Sequence, residues 1–160
     1  MLIVPRVRKR RGQSIIELAV GLIALIPIVL VIFDLAVIVI AVQINDSTCR
    51  EAARVAASGK PSDQQSRAQA VVNRANAKTA GMLSNFQLIG TPTSTVTQAT
   101  ADALAPYGGS LNGTVTVVTQ VDVKPFVVQV VYNGSGPLQF RSQQTFPITY
   151  VVPNTSVGVP

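Results

Sequence analysis

The chain has no histidine, no tryptophan and one cysteine, and it carries only seven carboxylates in 160 residues. A single thiol, Cys49, makes neither an intrachain disulfide nor a cysteine metal site; it reads first as a small packing residue, with an intermolecular disulfide or lipidation as the alternatives. Five of the acids (Asp46, Glu51, Asp63, Asp102 and Asp122) are scattered through the last three quarters of the chain. No phosphate-binding loop, calcium loop or hydrolase motif accompanies them. No enzyme, cofactor or metal site is therefore expected. The surplus of 13 basic residues over seven acids also points away from its usual meaning. Arg6, Arg8, Lys9, Arg10 and Arg11 crowd the start, and the remaining eight basic side chains nearly balance the acids. No basic stripe with interleaved aromatics exists elsewhere, so no nucleic-acid partner is expected.

What the sequence does have is one long apolar run. From Arg6 to Ile44 it reads RVRKRRGQSIIELAVGLIALIPIVLVIFDLAVIVIAVQI. About 20 apolar residues cross a bilayer as a helix, and Leu18 to Val42 exceeds that with one ionisable residue inside, Asp34. Lys and Arg stay on the cytoplasmic side. The basic cluster thus predicts a cytoplasmic N-terminus, with the bulk of the chain across the membrane. The run is too long for an ordinary secretory signal, and the residues after it (QINDSTCREAARVAA) continue as a helix. Glu17 is the first anomaly, because a carboxylate in the first turns of a membrane helix is costly and usually functional. A cut between Gly12 and Gln13 would place a new amino group four residues before Glu17, on the same helix face. The positive helix N-terminus would favour that carboxylate too. Asp34, deeper in the run, is expected to pair with a partner subunit within the membrane. Seventeen residues separate it from Glu17, roughly 100° out of phase, so the two need not share a partner.

Four features together resemble a family: RRGQSIIEL at the start, the proline in ALIPIVL, the aspartate in VIFDLAV, and NDSTCREAARVAA after the span. They are similar to the prepilin signal and helix of type IV pilins, and most closely to the TadE/TadF-like minor pilins of the tight-adherence (Flp) system. The resemblance covers roughly residues 8 to 58. It implies a leader removed between Gly12 and Gln13 by a prepilin peptidase, and assembly through Glu17 and Asp34. The implied partners are other pilin subunits and the inner-membrane assembly platform, with membrane lipid around the helix. The implied location is the inner membrane, single pass, with the C-terminal domain periplasmic or extracellular. Major Flp pilins are little more than the helix, so the large domain here suggests an initiating, tip or priming subunit. The alternative is an uncleaved signal-anchored structural or binding module of an envelope complex.

The rest of the chain sets the expected fold: α+β, with a long N-terminal transmembrane and stalk helix, a second helix packed on it, and a small antiparallel C-terminal sheet. After the leader (1–12), the first helix occupies 13–60 and stops at Gly59 and Pro61. Pro27 is expected to kink it, and Gly21 and Ala24 share a face with Glu17 as a candidate packing surface. Cys49, Ala52, Ala53 and Ala56 form a small-residue stripe. A second helix is expected over 61–89, opened by a Ser62–Gln65 capping box and carrying Ala68, Val71, Val72, Ala75, Thr79, Met82, Leu83 and Phe86 at helical spacing. Arg67, Asn73, Arg74 and Lys78 fall on its solvated face. Residues 90–113 read as a Thr/Ser/Gly-rich connection, with a loop or a weak edge strand in TPTSTVTQAT, a short helix over Ala99–Ala105, and a turn cluster in PYGGSLNG. From 114 to 160 the pattern is β: TVTVVTQVDV, then FVVQVVY, a turn at NGSGP, and LQFRSQQTFPITYVV. In the last run Phe140, Phe146, Ile148, Tyr150 and Val152 face one way, and Arg141, Gln143 and Thr149 the other.

Overall fold

A computed structural model describes residues 13–79, 85–125 and 136–156. Its spine is α1, Gln13–Ala57, a helix of 45 residues that is about 68 Å long at ~1.5 Å per residue. Pro27 lies inside this helix, and the helical assignment runs through it unbroken. The helix stops where the sequence indicates. Gly59 takes a φ of 102°, a conformation open to glycine and strained for side chains. Arg67 then folds back over the helix end, its Nη2 donating to the carbonyls of Ala56 at 3.3 Å and Lys60 at 2.8 Å. Arg67 was expected on a solvated face; instead it places a cation where α1 leaves its last carbonyls unpaired.

A 3-10 turn, Pro61–Asp63, leads into α2, Gln64–Thr79. The expected capping box does not form there, because Ser62 lies within the turn and donates to Asp63 Oδ1. The helix ends at Thr79 rather than continuing to Phe86. Phe86 belongs to β1, Asn85–Leu88, while Met82 and Leu83 lie outside the described residues. The reason is visible at Asn76. Its amide donates to Phe86 O at 2.8 Å, and its Oδ1 accepts from Phe86 N at 2.7 Å. One side chain thereby satisfies the strand residue's outward backbone groups, and Phe86 turns its ring into the core.

The sheet is antiparallel and centred on β3, Gly109–Val123. β4, Leu138–Val152, pairs along the whole of one edge, from Gly109↔Val152 to Val123↔Leu138. β1 and the two-residue β2, Thr93–Ser94, share the other edge. Between β2 and β3 lies α3, Gln98–Leu104, which Thr97 opens with a capping box. β3 begins at Gly109, so SLNG of the expected turn cluster is strand. Gly113 is required at its place in that strand: a Cβ there would collide with the Thr95 side chain and come within 2.8 Å of Val96. FVVQVVY, expected as a second strand, lies outside the described residues; the run that pairs with TVTVVTQVDV is LQFRSQQTFPITYVV.

Pro147 does not break β4. Thr114 turns its backbone toward the β2 side, its carbonyl accepting from Thr95 N at 3.0 Å and its N–H donating to Thr95 Oγ1 at 2.8 Å. Its partner Pro147 therefore points its nitrogen outward, to an edge that no described strand pairs. A missing N–H costs no ladder bond there, and it blunts an open edge.

The core forms where α1 lies across the sheet, with α2 alongside. Cys49, Ala52, Ala53 and Ala56 are fully buried, clustered with Ala68 and Val71 of α2 and with Val115, Val117 and Ile148 of the sheet. The small side chains let the backbones approach closely enough for Cys49 Sγ to donate toward Val117 O at 3.4 Å and Ser142 O at 3.3 Å. A second cluster, nearer the N-terminal half of α1, joins Ala41, Val72, Phe86, Val121 and Val123. The result is an α+β, pilin-like arrangement of long helix, second helix and small antiparallel sheet.

Candidate functional site

The two halves of α1 differ in what touches them. Every described side chain from Ile15 to Phe33 is exposed, including Ile15 (68%), Ile23 (71%) and Phe33 (64%). That bare segment is about 28 Å long at ~1.5 Å per residue, close to the ~30 Å hydrocarbon core of a bilayer. From Asp34 onward one face is covered. The covered positions, Asp34, Ala41, Asn45, Thr48, Cys49, Ala52, Ala53 and Ala56, share one side of the helix, and those from Ala41 onward lie beneath the sheet and α2. The opposite face stays exposed and apolar as far as Val42. The far half is thus the backbone of the domain and not a free stalk.

Glu17 stands on the second turn of α1, exposed, with no hydrogen bond or ion pair to any described residue. Asp34 is different. It is 5% exposed, the first residue of the helix that the domain covers, and it is engaged within its own chain. Its own subunit thus already engages Asp34, and the expected pairing with a partner subunit within the membrane would add to that contact. The two carboxylates stay about 26 Å apart along the axis. Gly21 has open space where a Cβ would sit, so nothing in the subunit itself demands glycine there. Gln13 is the first residue of α1. Gly12 and the basic residues Arg6, Arg8, Lys9, Arg10 and Arg11 lie outside the described residues.

Two polar contacts fix the domain on the helix just beyond the apolar stretch. Asn45, 1% exposed, donates to Phe140 O at 3.2 Å and accepts from Thr119 Oγ1 at 2.9 Å. Asp46 accepts from Ser142 Oγ at 3.0 Å and Gln144 Nε2 at 2.9 Å, and its other oxygen pairs with Arg50 at 2.8 Å. The Asp46–Arg50 pair is legible from its spacing; the grip of both residues on the sheet is not. The Ser142 bond leads in holding the Asp46 carboxyl below the ordinary aspartate value; Gln144 and Arg50 add to it against the opposing cost of burial. A carboxylate whose folded pKa is depressed stabilises the fold above its unfolded pKa of ~3.9, and that contribution is lost as pH falls through the folded value. Thermal melting of the detergent-solubilised protein is expected to lose stability in that acidic window. Asp46→Asn should flatten this part of the profile; an unchanged acid limb in the variant would show that Asp46 is not its source.

These features define a class: a long helix of membrane-spanning length, bare and apolar at its N-terminal half, serving at its other half as the spine of a small α+β domain. The anchor agrees with length and composition, since this helix is apolar enough to cross a membrane. Residues 12–54 match the TadE-like protein family. The match spans the bare segment, Glu17, Asp34 and the start of the small-residue stripe, and ends before α2 and the sheet. No curated protein and no solved structure matches the chain. Among the described residues no cluster of three or more potential metal ligands occurs.

Proposed function

We propose that the protein is a minor pilin, or pseudopilin, of a Tad-type pilus or a related secretion machine. The chain inserts in the inner membrane with its N-terminus in the cytoplasm and its α+β domain on the far side. A prepilin peptidase cuts after Gly12, and the subunit joins the assembly through the bare half of α1. Its partners are other pilin subunits and the inner-membrane platform, and its role is structural, without a catalytic centre. The observation that carries this reading is the coincidence of three features on one segment. Residues 15–33 are uncovered by the subunit's own domain, they bear the isolated carboxylate Glu17, and they lie in the TadE-like match. A simple lipid anchor needs the uncovered apolar length but has no use for Glu17, which is costly in lipid unless paired.

The test is at the cut. A peptidase acting at Gly12 brings the chain backbone close, where a side chain is in the way. Gly12→Val is therefore expected to insert normally and to accumulate at precursor mass, with Gly12→Ala also impaired. The readout is intact mass of the membrane-extracted protein. Normal trimming of Gly12→Val would count decisively against the pilin reading.

A further inference from the structure

The structure has a second polar feature that assembly through α1 does not use. α2 runs antiparallel to the far half of α1, with Arg67 against Ala56 and its last turn level with Ile44. Between the two helices lies a cleft of about 300 Å³. Arg74 and Lys78 line it from α2 and Glu51 from α1, Ile44 is part of its wall, and the hydroxyls of Ser47 and Thr79 beside them donate to the carbonyls of Ile44 and Ala75. The cations are poorly satisfied. Arg74 reaches Glu51 only at 3.7 Å, through side chains 66% and 55% exposed, a pair of little energetic weight. Neither Arg74 nor Lys78 has any other ion pair or hydrogen bond among the described residues. Lys124, also exposed, follows β3 at the same end of the domain.

The cleft continues downward as an apolar strip. Ser47, Ile44, Ile40, Val37 and Phe33 follow one another on α1 at three- and four-residue steps, one helix face, with Ile40 45% and Phe33 64% exposed. Depth agrees. A hydrocarbon core of about 30 Å counted from Leu18 ends near residue 38, and a headgroup layer of ~5–8 Å reaches about residue 42 or 43. The mouth of the cleft, at Ile44 and Lys78, therefore opens just beyond the headgroup layer, within reach of the long basic side chains that extend toward it.

We propose that this cleft binds the phosphate of an anionic phospholipid from the leaflet on the domain's side, with an acyl chain lying along Val37 and Phe33. The phosphate oxygens accept charge-assisted bonds from the Arg74 guanidinium and the Lys78 ammonium. The bound lipid orients the domain on the membrane surface. This inference needs only the membrane anchor and stands or falls apart from the pilin reading.

The test uses the full-length protein reconstituted in nanodiscs of equal phosphatidylcholine and phosphatidylglycerol, with lipids retained after release read by native mass spectrometry. The wild type is expected to retain phosphatidylglycerol preferentially. At ~1 kcal/mol per interfacial cation, each of Arg74→Gln and Lys78→Gln reduces that preference about 5-fold, and the pair together roughly 30-fold. Arg74→Lys with Lys78→Arg keeps it, Glu51→Gln strengthens it by freeing Arg74, and Lys60→Gln at the far end of the domain leaves it unchanged. Circular dichroism confirms that the compared variants are folded. Three results would overturn the proposal: equal retention of both lipids by the wild type, a double Gln variant that retains lipid like the wild type, or a Lys60→Gln loss of the same size. Displacement of the lipid by excess inorganic phosphate would assign the cleft to a soluble anion instead.

Discussion

Glu17→Ala is expected to reach the membrane in normal amount and to be absent from assembled polymer. The bare segment of α1 is apolar enough to insert without Glu17, so removing a costly carboxylate leaves insertion intact. Assembly is different. After a cut at Gly12 each chain would present an amino group at Gln13, and packing the bare segments together would bury it. Glu17 is the only acidic side chain in that segment. Leaving one member of a buried pair without its partner costs about 3–5 kcal/mol, equivalent to a loss on the order of 100-fold or more in incorporation. Glu17→Gln keeps the shape, removes the charge and should fail almost as badly. Immunoblots of sheared polymer against the membrane fraction provide the comparison. Wild-type incorporation of Glu17→Ala would remove this role from the carboxylate.

Asn45→Ala should be the most damaging single truncation of a polar side chain in the domain. It removes the link from α1 to Phe140 O and leaves the Thr119 hydroxyl, fully buried, without that acceptor. An unsatisfied buried polar group costs about 1–3 kcal/mol, and the vacated side-chain volume adds to it. A total near 2–4 kcal/mol corresponds to a fall in melting temperature on the order of 10 °C or more for a domain of this size. The asymmetry supplies the control. Asn45→Leu with Thr119→Val removes both polar partners together and should recover much of the loss, because the penalty belongs to the orphaned group and not to the bond. Thermal circular dichroism of the detergent-solubilised full chain reads both. Strict additivity of Asn45→Leu and Thr119→Val would show that the two side chains do not act as a pair.

Much of this architecture is legible before any coordinates. The first helix and its stop follow from an apolar run continued by a small-residue stripe and closed by Gly59 and Pro61, and β4 follows from the alternation of Phe140, Phe146, Ile148, Tyr150 and Val152 with Arg141, Gln143 and Thr149. The errors fall where tertiary contacts override a local pattern. Met82, Leu83 and Phe86 continue the helical spacing of α2, yet Phe86 is taken by strand pairing with Val121 and held by Asn76; nothing local announces that clamp. Asp34 reads as a charge stranded in mid-span because the sequence alone cannot show how far the domain descends along α1. Asn45 lies in the stretch QINDSTCREAARVAA, which reads only as a continuing helix, whereas the sheet buries it. The candidate assembly residues divide in the same way. Glu17 is found by its chemistry alone, being a carboxylate out of place in an apolar helix. The separation of Glu17, left bare, from Asp34, enclosed by its own chain, needs the fold.

The most direct measurement is the N-terminus and intact mass of the protein recovered from membranes, with and without a prepilin peptidase. The account predicts a chain beginning at Gln13 only when the peptidase is present, and a chain retaining Arg6 to Arg11 when it is absent. A precursor mass in both preparations would contradict it. The protein would then be an uncleaved anchored module, and Glu17 would have no new amine to meet.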